Sequence, residues 1–269
     1  MIEALSMSFF QHAIMAGILA GVACGMIGSL VVVNRQVFLA GGVAHAAYGG
    51  VGIGFFFGLP ILPSAIGFTA LAALIMARLT FDRRERTDSF VGVLWASGMA
   101  LGIILVNLTP GYNVNLMSYL FGSILTVPAS DVWAMLVLDV LILAVIAYFY
   151  GDFLSMSFDM EFARAGGIPV KRLYGLMLVL TAVAVVMVIQ VVGLILVIAL
   201  LTIPAMLAET GARSLASMML RATGYCILFS MLGLAAAYRF DISSGASIIA
   251  VAAVSFFIIR TFQAWRSRR

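Results

Sequence analysis

Charge is what this chain has least of. Only 10% of its 269 residues are Asp, Glu, Lys or Arg, against 64% hydrophobic, where soluble domains are roughly a quarter charged and half apolar. Together with a mean hydropathy of +1.18, that excludes a water-facing globular surface and indicates an integral membrane protein. Histidine occurs twice, at positions 12 and 45, and cysteine twice, at 24 and 226. Both cysteines sit in apolar runs, where a free thiol behaves as a small hydrophobe, so neither a disulfide nor a thiolate metal site is expected. Also missing are a G-x-x-x-x-G-K-[ST] nucleotide loop, an H-E-x-x-H zinc motif and a G-x-S-x-G nucleophile elbow. The chain is therefore expected to be no enzyme, and to bind neither ATP nor a permanent cofactor itself. With no long hydrophilic segment, low-complexity tract or tandem repeat, residues 1–269 are expected to form a single transmembrane domain whose energy source lies in other chains.

What is present is apolar length. Uncharged runs extend from Gln36 to Ala77, Ser89 to Ser130, Leu173 to Ala208 and Ile242 to Ile259, and about 20 apolar residues suffice for one helical crossing. The segment LMLVLTAVAVVMVIQVVGLILVIALL is apolar on every face, whereas strands of a membrane barrel alternate. The fold class is accordingly all-α, a polytopic bundle of eight to nine spans. Crossings are expected near 12–34, 37–58, 61–80, 90–108, 132–150, 173–191, 193–208, 217–238 and 242–260, with a tight turn near Val192 and Gly193.

The net charge of +4 reports topology rather than a nucleic-acid surface, because Lys and Arg mark the cytoplasmic ends of spans. Basic clusters at Arg35, at Arg78, Arg83, Arg84 and Arg86, at Arg164, Lys171 and Arg172, at Arg213 and Arg221, and from Arg260 to Arg269 are placed inside. Leu59–Pro63, Thr109–Ser118 and Arg239–Ser244 become external turns, with the N-terminus outside and the C-terminus cytoplasmic. Glu3 and the lack of a basic n-region argue against a cleaved signal peptide, and the charged run TFDRRERTDSF reads as a topology anchor.

Four features carry functional expectations. In LAGGVAHAAYGGVG, the small residues Gly42, Ala46, Gly50, Gly54 and Gly58 recur at i+4, a small-xxx-small stripe that allows close helix packing. His45 lies beside that stripe. An intramembrane histidine is a functional candidate and neutral imidazole a common metal ligand, while the alternative is a histidine hydrogen-bonded to a neighbouring helix. His12 reads as interfacial. In SFDMEFARAGGIP, Ser157 is expected to cap a short cytoplasmic helix, Asp159 and Glu161 to suit its positive end, and Gly166, Gly167 and Pro169 to stop it; it is a connector or a docking helix. Asp139 and Gln190 stand isolated within spans and either line a path or bond a neighbouring helix. The methionines are scattered, against a thioether copper path.

Taken in order, GMIGSLVVVNRQVFLAGGVAHAAYGGVGIG, DSFVGVLWA, NLMSYLFGSIL, LSMSFDMEFARAGGIPV, VVGLILVIALLTIPAMLA and DISSGASIIA resemble the permease subunit of the metal-type ABC importers, which carry zinc, manganese or iron in prokaryotes. The resemblance covers nearly the whole chain. It implies an inner-membrane permease working as a dimer with itself or a paralogue, surrounded by membrane lipid. It implies two separate ATPase subunits holding the ATP and an external metal-binding lipoprotein or periplasmic protein. It implies that residues 157–169 form the coupling helix, with Asp159, Glu161, Ala165, Gly166, Gly167 and Ile168 facing the ATPase. Members of that family commonly carry an Asp one turn before the helical histidine; here Gly41 occupies that position and His45 is kept. Carboxylate suits manganese and imidazole suits zinc, copper, iron or nickel, so the expected cargo tilts toward zinc. Competing readings are a permease for a metal chelate, siderophore or cobalamin, then a self-contained channel or secondary transporter, and last an intramembrane enzyme.

Overall fold

The computed structural model describes residues 8–81, 87–109, 124 and 127–266. The core of the charged run, Asp82–Arg86, most of NLMSYLFGSIL and the terminal arginines Arg268 and Arg269 lie outside the described residues. The elements are α1 (Ser8–Val33), α2 (Val37–Phe57), α3 (Ile61–Thr80), α4 (Thr87–Leu108), α5 (Ala129–Tyr148), α6 (Tyr150–Phe158), α7 (Met160–Ala165), α8 (Val170–Val192), α9 (Leu194–Glu209), α10 (Leu215–Phe240) and α11 (Ser244–Arg266). No strand occurs among the described residues.

Eight of these helices are long and apolar enough to cross a membrane. The expected crossing at 193–208 is α9, of only 16 residues with Pro204 inside it; at 1.5 Å per residue it spans about 24 Å, short of a hydrocarbon core of about 30 Å. It follows α8 through Gly193, whose φ of 83° and ψ of 165° fall in a region open essentially to glycine alone. That backbone lets two apolar helices meet at a corner without a polar loop. Helices α1, α2 and α8 are the most buried and form the centre, while α4, α5 and α11 present largely apolar outer faces.

The packing of the centre rests on absent side chains. Helix α2 makes its most extensive contact with α4 and its next with α3. A methyl group built on Gly98 would sit 2.7 Å from the Ala46 Cα, and one on Gly52 2.7 Å from the Gly102 Cα; one on Gly102 would collide with the Tyr48 carbonyl. On the opposite flank, one on Gly50 would lie 2.6 Å from the Ala65 Cα of α3. The i+4 row from Gly42 does not stay on one neighbour, because each such step advances about 40° beyond a full turn. Gly42 meets Val91 of α4, Ala46 meets Gly98 of α4, Gly50 meets Ala65 and Phe68 of α3, and Gly54 meets Ile61 of α3. Gly58 departs from the expected packing row: nothing lies near its Cβ position, and with φ of 64° it is the left-handed C-cap of α2. It ends the helix rather than joining it to another.

Substituting Gly102 by Val is expected to lower the thermal unfolding midpoint of the detergent-purified chain, at a cost of about 1–3 kcal/mol or more. Gly92→Ala, where nothing lies within 4 Å of the added atom, should leave it unchanged or slightly raised, since alanine is the better helix former. Fluorescence-detected size exclusion after heating checks both, and equal midpoints would remove the α2–α4 approach as a stabilising contact.

Candidate functional site

His45 lies on α2 beside the row that meets α4, half-buried. Its imidazole stacks on the indole of Trp95 in α4, with ring centroids 3.9 Å apart and planes inclined by 13°. Close approach of the two backbones is what permits this, since larger residues at 98 and 102 would separate the helices. The Nδ1 atom is buried and has no hydrogen-bond partner among the described residues, so no bond to a neighbouring helix is made through that nitrogen. Trp95 is itself held by its Nε1–H, which donates to the Met99 Sδ one turn further along α4 at 3.1 Å. At Gly41, a built Cβ would meet only the Ile198 Cδ1 of α9, at an ordinary 3.8 Å. The position has room for a side chain, and packing does not demand glycine there. Among the described residues no group of three or more His, Cys, Asp and Glu side chains converges on a point; one chain offers a single imidazole here.

The structure separates the two polar residues expected within spans. Asp139 of α5 is buried, 3% exposed, with neither carboxylate oxygen hydrogen-bonded, and it lies within electrostatic reach of Cys24 on α1. Gln190 is not isolated: near the end of α8 its Nε2 donates to the Asp131 Oδ2 in the first turn of α5 at 3.2 Å. It joins two helix ends rather than standing alone at mid-span. Cys24 and Cys226 are buried free thiols, and Cys226 Sγ donates weakly to the Leu200 carbonyl at 3.4 Å. His12 is half-buried on α1, beside Met15 and facing Trp133 of α5 across an apolar cleft.

The segment 157–169 is a helix break and a short helix rather than one helix capped by Ser157. Ser157 belongs to α6, and its Oγ accepts from the Asn34 Nδ2 at 2.9 Å. The cap is Asp159, in extended backbone, whose Oδ1 accepts the amides of Glu161 at 2.8 Å and Phe162 at 3.1 Å. Aspartate satisfies two orphan amides with a negative charge at the helix start, which a hydroxyl two residues earlier, inside α6, does not reach. Helix α7 ends at Gly166, and Gly167 follows with φ of 84°. Glu161, Ala165, Gly166 and Gly167 are exposed, and Ile168 is partly buried. Phe158 and Phe162 are 85% and 72% exposed, two aromatic rings outside the spans in the segment expected to dock.

Sequence reasoning passed over Trp95, Asp131 and Asn34. The signal for Trp95 was available: it lies as many residues from the start of α4 as His45 does from the start of α2, so two helices rising from the same side bring them to one depth. Asp131 and Asn34 left no comparable trace.

Residues 6–263 match the model of the ABC 3 transport family. An uncharacterized membrane protein of Synechocystis sp. is 47% identical over 98% of this chain and 94% of its own length. The manganese transport system membrane protein MntC of Halalkalibacterium halodurans is 31% identical over 99% of this chain and 94% of its own. Among solved structures, PsaBC from Streptococcus pneumoniae in complex with Fab superposes with a TM-score of 0.85 at 34% identity, covering 96% of this chain and 93% of that one. The named relative is a manganese system, and none of these three names zinc. This chain belongs to the ABC 3 transport family and is a metal ABC transporter permease, the membrane-spanning subunit rather than the ATPase.

Proposed function

We propose that the whole chain acts as one transmembrane unit that, as a dimer with a second permease, passes a divalent transition-metal ion inward across a prokaryotic cytoplasmic membrane. The ion arrives from an external metal-binding protein. Separate ATPase chains drive the cycle through α7, and the C-terminus lies on their side. The observation that carries the reading is the His45 imidazole: an unpartnered ring nitrogen, buried at membrane depth beside a close helix contact. A polar group left unbonded there costs free energy, and an imidazole so placed suits a passing metal ion.

The donor set favours zinc as cargo. Imidazole serves zinc well, whereas manganese favours carboxylate and other oxygen donors, and position 41 supplies none. A second reading, manganese, is favoured by the names of the relatives. Element-resolved metal content of cells expressing this chain with its ATPase and binding protein separates them. Zinc is expected to rise and to fall by about tenfold or more in His45→Ala at equal membrane expression. A rise in manganese instead selects the second reading; a rise that survives His45→Ala removes the histidine from the path. Because position 41 has room, Gly41→Asp is expected to raise manganese uptake relative to zinc, and an unchanged ratio would dissociate ion choice from that position.

Coupling is tested at α7. With Glu161→Lys or Gly166→Trp, ATP hydrolysis by the assembled complex should persist while uptake falls by about tenfold, the cost of roughly 1.4 kcal/mol of lost coupling. Uptake at the wild-type level in both variants would remove the docking assignment.

A further inference from the structure

Stacking uses the face of the imidazole, but a metal is bound through a nitrogen lone pair in the plane of the ring. The Trp95 indole can therefore lie 3.9 Å from His45, nearly parallel to it, without occupying the ligand position. The indole is fixed in turn by its bond to Met99. With Nδ1 as the ligating nitrogen, the ring would ordinarily be held by a hydrogen bond from Nε2, and among the described residues His45 makes no hydrogen bond at either nitrogen. Among the described residues the ring contact that sets its plane is the stack on Trp95.

We propose that Trp95 is a positioning residue for the metal path: its indole replaces the missing hydrogen bond, holds the His45 ring in one plane and leaves the nitrogen free for an arriving ion. A second effect follows from the same geometry. Imidazole gains positive character when it binds a cation, and a positive group over an indole face is stabilised by the ring's quadrupole. The stack is therefore stronger with the metal on His45 than without it, so Trp95 raises affinity as well as order. Donation of the indole N–H to the Met99 sulfur leaves electron density on the ring and works in the same direction. This inference rests on His45 being a metal ligand.

The test uses the full-length chain in lipid nanodiscs and zinc ion alone as the probe. The sequence has three tryptophans, so Trp133→Phe with Trp265→Phe leaves Trp95 as the single emitter. Saturable zinc-dependent quenching or shift of its emission, abolished by His45→Ala, is expected. By calorimetry, Trp95→Leu should weaken zinc binding by about 10–100-fold, the range for residues that orient a ligand, and Trp95→Phe, which keeps a stacking ring, should recover most of it. Wild-type affinity in Trp95→Leu, with binding lost in His45→Ala, overturns the role of Trp95 and leaves His45 as the ligand. Zinc binding that is unchanged in His45→Ala overturns the His45 reading and this inference with it. Should Trp95→Leu not fold, the emission decides: zinc bound through His45 with no response from Trp95 overturns the proposal, and a response with affinity retained in Trp95→Phe supports it.

Discussion

The contact on which the site depends is the backbone approach of α2 to α4. In a bilayer there is little hydrophobic gain in pressing one apolar helix on another, since lipid is as apolar as leucine, and association relies on close packing. Gly52 against Gly102 and Ala46 against Gly98 supply it. Two consequences arise together. The helices are locked in register, and the Trp95 ring, at the same depth on the neighbouring helix, is brought onto the His45 ring. Larger residues along that seam would remove both at once, so the small residues that look like a packing device also set the geometry of the polar group.

The same helix is tied to the surface that carries α7. Asn34, in the turn just before α2, donates from one Nδ2 to the Leu30 carbonyl at 2.9 Å and to the Ser157 hydroxyl at 2.9 Å. Ser157 lies in the last turn of α6, two residues before the Asp159 cap of α7. At its other end α6 is fixed by Tyr150, whose hydroxyl accepts the Ala216 amide at the start of α10 at 3.0 Å. The short surface helix is thus braced against two spans, and one brace reaches the turn from which the histidine-bearing helix begins. A polar bond across that end of the bundle and a glycine seam among the spans form a continuous line from α7 to His45.

Much of this architecture was legible because it follows from length and composition. Helix starts and stops fall where Pro60, Pro128 and Pro169 precede helices and where Gly58 and Gly193 end them. The glycines of α2 announced a close contact, but not with which helix. An i+4 row drifts around the axis, so one pattern served two neighbours and its last member, Gly58, served as a cap. The error at Ser157 has a similar origin: a serine and an aspartate two residues apart are both acceptable caps, and only the break in the chain at 159 decides between them. Gln190 looked isolated because its partner, Asp131, is 59 residues away. A single sequence carries no record of such pairs, whereas the stack of Trp95 on His45 followed from topology once both helices were known to rise from the same side.

Gly41 and Gly42 are adjacent and chemically identical, yet they occupy their places for different reasons. At Gly42 any side chain would run into Val91, and glycine is required for α4 to approach. At Gly41 the nearest atom to a built Cβ is the Ile198 Cδ1 at 3.8 Å, an ordinary contact, and the backbone does not have positive φ. Neither sterics nor conformation explains glycine there, and in the middle of a helix glycine carries a cost of roughly 0.5–1 kcal/mol relative to alanine. What its presence does accomplish is chemical: it leaves one turn before His45 a position with no oxygen donor. On the reading proposed above, one residue type in one motif answers two questions, one about packing and one about which atoms meet an ion.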